Sequence, residues 1–162
     1  MQYTFTDEAA TRRFGHALAR TAQPGDVLLL SGDLGTGKTT LVKGIAAGLG
    51  IEPDMIRSPS FTLMHPYDEG RLPLVHFDVY RLSDPDEFEA IGGLEPIHAG
   101  DALVVIEWGE QVKSILPPGW LHVHLDYDTT PSGRRVHVQR SGPAGEAWYE
   151  RLRQAVEEES FV

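Results

Sequence analysis

The stretch DVLLLSGDLGTGKTTLVKGIAAGLG, Asp26 to Gly50, constrains this chain more than any other part of it. A continuous aliphatic run (Asp26–Ser31) reads as a strand buried on both faces. Residues 38–49 read as a helix, with Leu41, Ile45 and Leu49 at a spacing of four and Gly48 and Gly50 to stop it. Between them Gly32 to Thr39 spell G-D-L-G-T-G-K-T, the pattern G-x-x-x-x-G-K-[ST]. Glycines let successive backbone N–H groups turn inward and clear the approach of a phosphate chain. The helix that follows offers unpaired N–H groups and the positive end of its dipole. The expected phosphate-binding set is Asp33, Leu34, Gly35, Thr36, Gly37, Lys38, Thr39 and Thr40. Lys38 neutralises the outer phosphates, the Thr39 hydroxyl can ligate Mg²⁺, and Thr40 reaches toward the α-phosphate.

Such a site needs an acid at the end of a neighbouring strand to help hold Mg²⁺. Two positions compete: LVVIE ends at Glu107 and LVHFD ends at Asp78. Spacing alone does not divide the roles between them. The chain contains no asparagine, so the N-K-x-D element with which common GTPases read guanine is missing, and ATP is the expected nucleotide.

The remaining pattern alternates strands and helices. Gln2–Phe5 reads as a short strand, and Thr6 as the cap of a helix that turns Phe14 and Leu18 to one side. FTLMHPY and LPLVHFDVY form a hairpin. SDPDEFEAIGG carries Asp84 as cap, Pro85 at the first helical position and Gly92 as stop. WLHVHLDYD and RRVHVQR form a second hairpin across a Thr-Thr-Pro-Ser-Gly turn, and a last helix buries Trp148, Leu152 and Val156. The expectation is an α/β fold in one domain over 1–162, a P-loop NTPase with a mainly parallel central sheet, antiparallel hairpin additions and flanking helices.

Composition narrows the partners. A net charge of −10 over 162 residues lacks the basic footprint of direct nucleic-acid binding, so Arg12–Arg13 and Arg134–Arg135 read as solvated faces or protein contacts. No apolar run approaches the roughly 20 residues of a membrane span. The start MQYTFTDEAATRRF has no signal-peptide core, and the absence of cysteine suits a reducing cytoplasm. His122 and His124 share a strand face with His137 opposite, which raises zinc against the plainer reading of a wet hairpin face. His76 reads as a packed strand histidine near the acids, and Trp108 either as a packing residue or as one that reports nucleotide binding or meets a partner. Ser58–Thr62 lies where such proteins sense the γ-phosphate.

Four segments in order, the P-loop region, SPSFTL (Ser58–Leu63), HFDVYR (His76–Arg81) and IEWGE (Ile106–Glu110), resemble the TsaE family of small P-loop ATPases of bacterial tRNA threonylcarbamoyladenosine synthesis. Thr36, Ser60, Val79 and Gly109 stand where that family usually has alanine, threonine, leucine and proline. The resemblance implies an ATPase that acts through the TsaB–TsaD pair and meets tRNA only indirectly, its hydrolysis resetting the complex between turnovers. It assigns Lys38 and Thr39 to phosphate and Mg²⁺, Glu107 to the Mg²⁺ shell, and Asp78 to a second acidic role near the γ-phosphate. Hydrolysis is expected to be slow alone and faster in the complex, with Arg57 and Arg81 as candidate extra charges. A small-molecule kinase and a nucleotide-dependent binding switch are the alternatives.

Overall fold

Three aliphatic strands, Val27–Ser31, Leu74–Asp78 and Leu103–Glu107, run parallel through the centre of the molecule and are covered on both faces. The computed structural model describes residues 1–33, 35–56 and 64–159, apart from the side chain of residue 159. In chain order the elements are β1 (Gln2–Phe5), α1 (Glu8–Thr21), β2 (Val27–Ser31), α2 (Lys38–Leu49), β3 (Met64–Tyr67), β4 (Leu74–Asp78), α3 (Pro85–Ala90), α4 (Leu94–Ala99), β5 (Leu103–Glu107), β6 (Trp120–Tyr127), β7 (Arg134–Arg140) and α5 (Gly142–Glu159). Short 3₁₀ turns occupy Pro53–Met55, Gly109–Gln111 and Lys113–Ile115.

The seven strands form one sheet in the order β1-β7-β6-β2-β5-β4-β3. The inner four, β6-β2-β5-β4, are parallel, and the pairings outside them are antiparallel. The expected α/β fold with a mainly parallel centre and hairpin additions is therefore the observed one. On one face α1, α2 and α5 bury Phe14, Leu18, Leu41, Ile45, Leu49, Trp148, Leu152 and Val156, the residues whose spacing marked those helices. On the other face a smaller cluster joins Val27, Leu29, Phe77, Val104 and Ile106 to Phe88 of α3, which meets Phe77 edge-on at 5.0 Å. This second cover ends at β2. Beyond it β6 alternates, with Leu121, Val123 and Leu125 buried and Trp120, His122, His124 and Asp126 only partly covered.

Two local expectations need correction. The cap of α1 is Asp7, not Thr6: Asp7 Oδ1 accepts from the Ala10 amide at 2.8 Å. A carboxylate at that place satisfies an orphan donor and also opposes the helix dipole, so it outcompetes the hydroxyl one residue earlier. α3 starts as read, with Asp84 capping the Asp86 amide at 2.9 Å. The chain then turns at once into α4, which its six residues and internal Pro96 leave too short for any periodicity to reveal.

Candidate functional site: a cleft at the carboxyl ends of the parallel strands

β2, β4 and β5 all end at the same edge of the sheet, where open α/β sheets bind ligands. β2 delivers the glycine-rich loop, and α2 begins at Lys38 with Gly37 in a left-handed conformation before it. Gly35 is also left-handed (φ 81°), a conformation that favours glycine, and the Tyr127 hydroxyl stands close over it. Leu34 lies outside the described residues. Thr36 is buried and its hydroxyl donates to the Asp33 carbonyl at 2.7 Å, which ties the loop to itself. Lys38 is buried as well. Its ammonium donates to the carbonyls of Gly32 at 2.5 Å and Asp33 at 3.0 Å, and sits 4.3 Å from the centre of the Trp108 ring. Burial pulls the Lys38 pKa below its ordinary value, against the opposing pull of Glu107, Glu110, Asp78 and Asp33.

The two acids stand side by side, since Asp78 and Glu107 are register partners on β4 and β5. Together with Lys38, Thr39, Thr40 and Trp108 they line one cleft of about 270 Å³. They are not equivalent. Glu107 is 3% exposed, and His76, fully buried on β4, lies with Nε2 2.5 Å from its Oε2. An imidazole donating to a carboxylate in this way locks its orientation. The other ring nitrogen, Nδ1, has no hydrogen-bond partner among the described residues. Asp78 is more open, and its Oδ1 accepts from the Tyr80 amide at 3.0 Å. The reading of His76 as a packed strand histidine thus holds, and it is also the group that orients Glu107.

Trp108, next in the chain, has φ 62°, the one positive value outside glycine among the described residues. Such a conformation in a bulky residue is strained and needs the surroundings to hold it. Its ring meets Lys38 on one side and the half-exposed Tyr80 at 4.8 Å. Gly109 then presses on β2: a Cβ there would lie 2.7 Å from that of Leu29.

The β6–β7 hairpin supplies the opposite wall, and Arg134, read from the sequence as a solvated face or a protein contact, is half-buried there. Its Nε donates to the Thr36 carbonyl at 2.7 Å and its Nη1 to the Gly133 carbonyl at 2.7 Å, while the guanidinium lies 4.7 Å from the centre of the Tyr127 ring. A second cleft of about 270 Å³ lies under it, lined by Glu8, Thr11, Thr36, Ser132 and Arg134 and sharing Gly35, Gly37 and Thr40 with the first. Arg135 and Arg12 do sit on exposed faces, near Asp128 at 3.9 Å and Glu8 at 2.9 Å. Nothing local in the sequence announces the contact of Arg134 with the P-loop, because the Thr36 carbonyl is 98 residues away.

His137 does lie directly across from His124, yet no group of three or more metal-ligating side chains could hold an ion among the described residues, so the zinc reading falls. Arg81 is exposed in the turn after β4 and does not line the cleft. Arg57 and Ser58–Thr62 lie outside the described residues. None of the described helices is long and apolar enough to cross a membrane.

Comparison with known proteins finds relatives of one family. The family model described as "Threonylcarbamoyl adenosine biosynthesis protein TsaE" matches residues 5–136. The chain is 49% identical over 107 residues to the tRNA threonylcarbamoyladenosine biosynthesis protein TsaE of Treponema pallidum, covering 66% of this chain and 77% of that one. It is 38% identical over 141 residues to the protein of the same name from Streptomyces coelicolor, covering 85% and 93%. The crystal structure of YdiB from Bacillus subtilis superposes with a TM-score of 0.78 at 32% identity, over 95% of this chain and 94% of that one.

Proposed function

Because the chain belongs to the TsaE family, we propose that it binds and hydrolyses ATP in the service of threonylcarbamoyladenosine synthesis on tRNA. The observation that carries the proposal is one cleft in which Lys38 and Thr39, on the first turn of α2, face Asp78 and Glu107. A triphosphate would draw the Lys38 ammonium away from the Gly32 and Asp33 carbonyls, exchanging two neutral acceptors for charged ones. The amides of Gly35 to Thr40 and the start of α2 supply the remaining donors. Burial of Lys38 makes its charge count for more, because little water competes with it.

The residues present suit Mg²⁺: the Thr39 hydroxyl and the Glu107 carboxylate are hard oxygen donors, and His76 already orients the latter. When bound, Mg²⁺ would neutralise charge that develops on the phosphate oxygens. Asp78, more open than Glu107, acts as the second acid near the γ-phosphate and orients the attacking water. The second cleft, contiguous with the first and bounded by Thr11 and Arg134, takes the nucleoside.

Lys38 is the one basic residue that lines the first cleft among the described residues. Efficient phosphoryl transfer uses a further positive charge, so hydrolysis is slow alone and accelerates when the TsaB–TsaD pair completes the site. The −10 net charge suits a subunit that works in the cytoplasm through protein partners and meets tRNA only indirectly. The test is Mg-ATP hydrolysis by the purified chain, alone and with TsaB–TsaD, with Lys38→Ala as the blank. Stimulation that vanishes in the blank is expected. A lone chain already turning over at its complexed rate overturns partner activation, and unchanged ATP affinity in Lys38→Ala overturns the site.

A further inference from the structure

On the uncovered face of β6, immediately behind the P-loop, five polar side chains form a chain of hydrogen bonds. Lys113 Nζ lies 3.2 Å from His122 Nδ1. His122 Nε2 lies 2.7 Å from Ser31 Oγ, and Ser31 Oγ lies 2.6 Å from His124 Nδ1. His124 Nε2 lies 3.0 Å from Asp126 Oδ1. The two ends determine the direction of every link. An ammonium has only protons to give, so His122 Nδ1 must accept, and the neutral ring carries its proton on Nε2. That proton goes to Ser31 Oγ. A carboxylate only accepts, so His124 also carries its proton on Nε2, which leaves its Nδ1 to accept. The single Ser31 proton fits the one remaining place, from Oγ to His124 Nδ1. Four contacts are satisfied with no donor facing a donor.

We propose that Lys113, His122, Ser31, His124 and Asp126 form one directed hydrogen-bond relay that holds the end of β2, and that Ser31 thereby positions the start of the P-loop. Ser31 is 3% exposed and is the last residue of β2. The next residue is Gly32, whose carbonyl accepts from Lys38. A shift at Ser31 is therefore transmitted through one peptide to the lysine. The surroundings agree with a neutral His122. Burial, then Lys113, then His124 push the His122 pKa down to about 4. Lys113 is also held 4.4 Å from the centre of the Trp120 ring. Across the sheet, β7 places Gln139 opposite His122, His137 opposite His124 and Arg135 opposite Asp126, and a cleft of about 360 Å³ opens over this face. A proton added to His124 would give Ser31 two donors and leave its own hydrogen without an acceptor.

The protonation pattern stands independently of ATP, whereas the positioning consequence rests on the nucleotide reading above. The test uses the full chain labelled with ¹⁵N-histidine. At pH 7.5, long-range ¹H–¹⁵N spectra should show both His122 and His124 as fixed Nε2–H tautomers. An Nδ1–H form or an averaged signal at either ring overturns the relay. In the double variant Ser31→Ala/Asp126→Ala, which removes both partners of the ring, the His124 signal should move to a tautomer average, whereas in Ser31→Ala alone, where Asp126 still accepts from Nε2, the Nε2–H form should persist and only the Nδ1 resonance should shift as it loses its hydrogen bond. Mg-ADP affinity in Ser31→Ala should fall about fivefold, the size of one lost neutral hydrogen bond. A change in the histidine spectrum with ADP affinity unaltered would overturn the positioning role. Failure of the unmodified chain to bind ADP would overturn the nucleotide reading and the positioning role with it, while the tautomer result would still decide the relay.

Discussion

The two walls of the cleft are built in opposite ways. On one side β2, β4 and β5 are buried almost throughout, and β4 and β5 deliver Asp78 and Glu107 from rigid strand ends. On the other, the β6–β7 hairpin reaches over with Tyr127, which is 46% exposed, and with Arg134, which is tied to the loop at the Thr36 carbonyl. The first wall is held by packing, the second by individual hydrogen bonds. Chemistry that depends on precise placement belongs on the first, and grip on the ligand belongs on the second. Substitutions should therefore separate the two: the packed wall governs turnover, and the hairpin wall governs affinity.

The largest expected effect is Glu107→Gln. The amide is nearly the same size, and its oxygen still accepts from His76, so folding is preserved. A neutral group holds Mg²⁺ far less well, and turnover should fall on the order of 100-fold. Affinity for the nucleotide without Mg²⁺ should stay within about threefold, since that binding uses the loop amides and Lys38. Single-turnover hydrolysis and a metal-free ADP titration measure the two quantities. Equal losses in both would erase the division between the walls.

Arg134→Ala should do the reverse. Loss of the charged bonds to the Thr36 and Gly133 carbonyls loosens the loop and should weaken ADP binding about tenfold. Turnover of bound nucleotide should change less than about twofold. Arg134→Lys should not rescue binding, because an ammonium cannot reproduce the planar fork and also lie over Tyr127. Restored affinity in the lysine variant would reduce Arg134 to a simple charge.

The same contrast decides what the sequence can disclose. Lys38, Thr39 and the strand–loop–helix around them are legible because the loop, its glycines and its flanking elements are contiguous in the chain. Asp78 and Glu107 are legible as strand-end acids. Their inequality is not, because it comes from His76, which reaches Glu107 across 31 residues of chain and only through the parallel register of β4 and β5. The contact of Arg134 with the P-loop is hidden for the same reason at longer range: its partner at Thr36 is a backbone carbonyl, which no residue type announces. The helix α4 escapes notice for a local reason, being too short to show a period. The cap of α1 is displaced by one residue because two capping types, Thr6 and Asp7, stand next to each other and only the geometry chooses.

The smallest expected effect is a dependence of stability on pH from the back of the hairpin wall. His122 titrates near 4 in the folded chain, against an ordinary value of about 6.5. Between those values the unfolded chain takes up a proton that the folded chain refuses. Unfolding is then favoured as pH falls from about 6.5 to about 4, and this contribution is flat above about 7. The carboxylates also titrate in acid, so the wild-type slope alone is not diagnostic. His122→Gln removes the imidazole but keeps an amide able to meet Ser31, and urea midpoints of the two proteins compared at each pH cancel the shared groups. The variant should lose less stability on acidification than the wild type across that window, and the two should run parallel above pH 7. Parallel curves throughout would mean that His122 meets water freely, and that the hairpin is held at this point by its backbone pairing rather than by side chains.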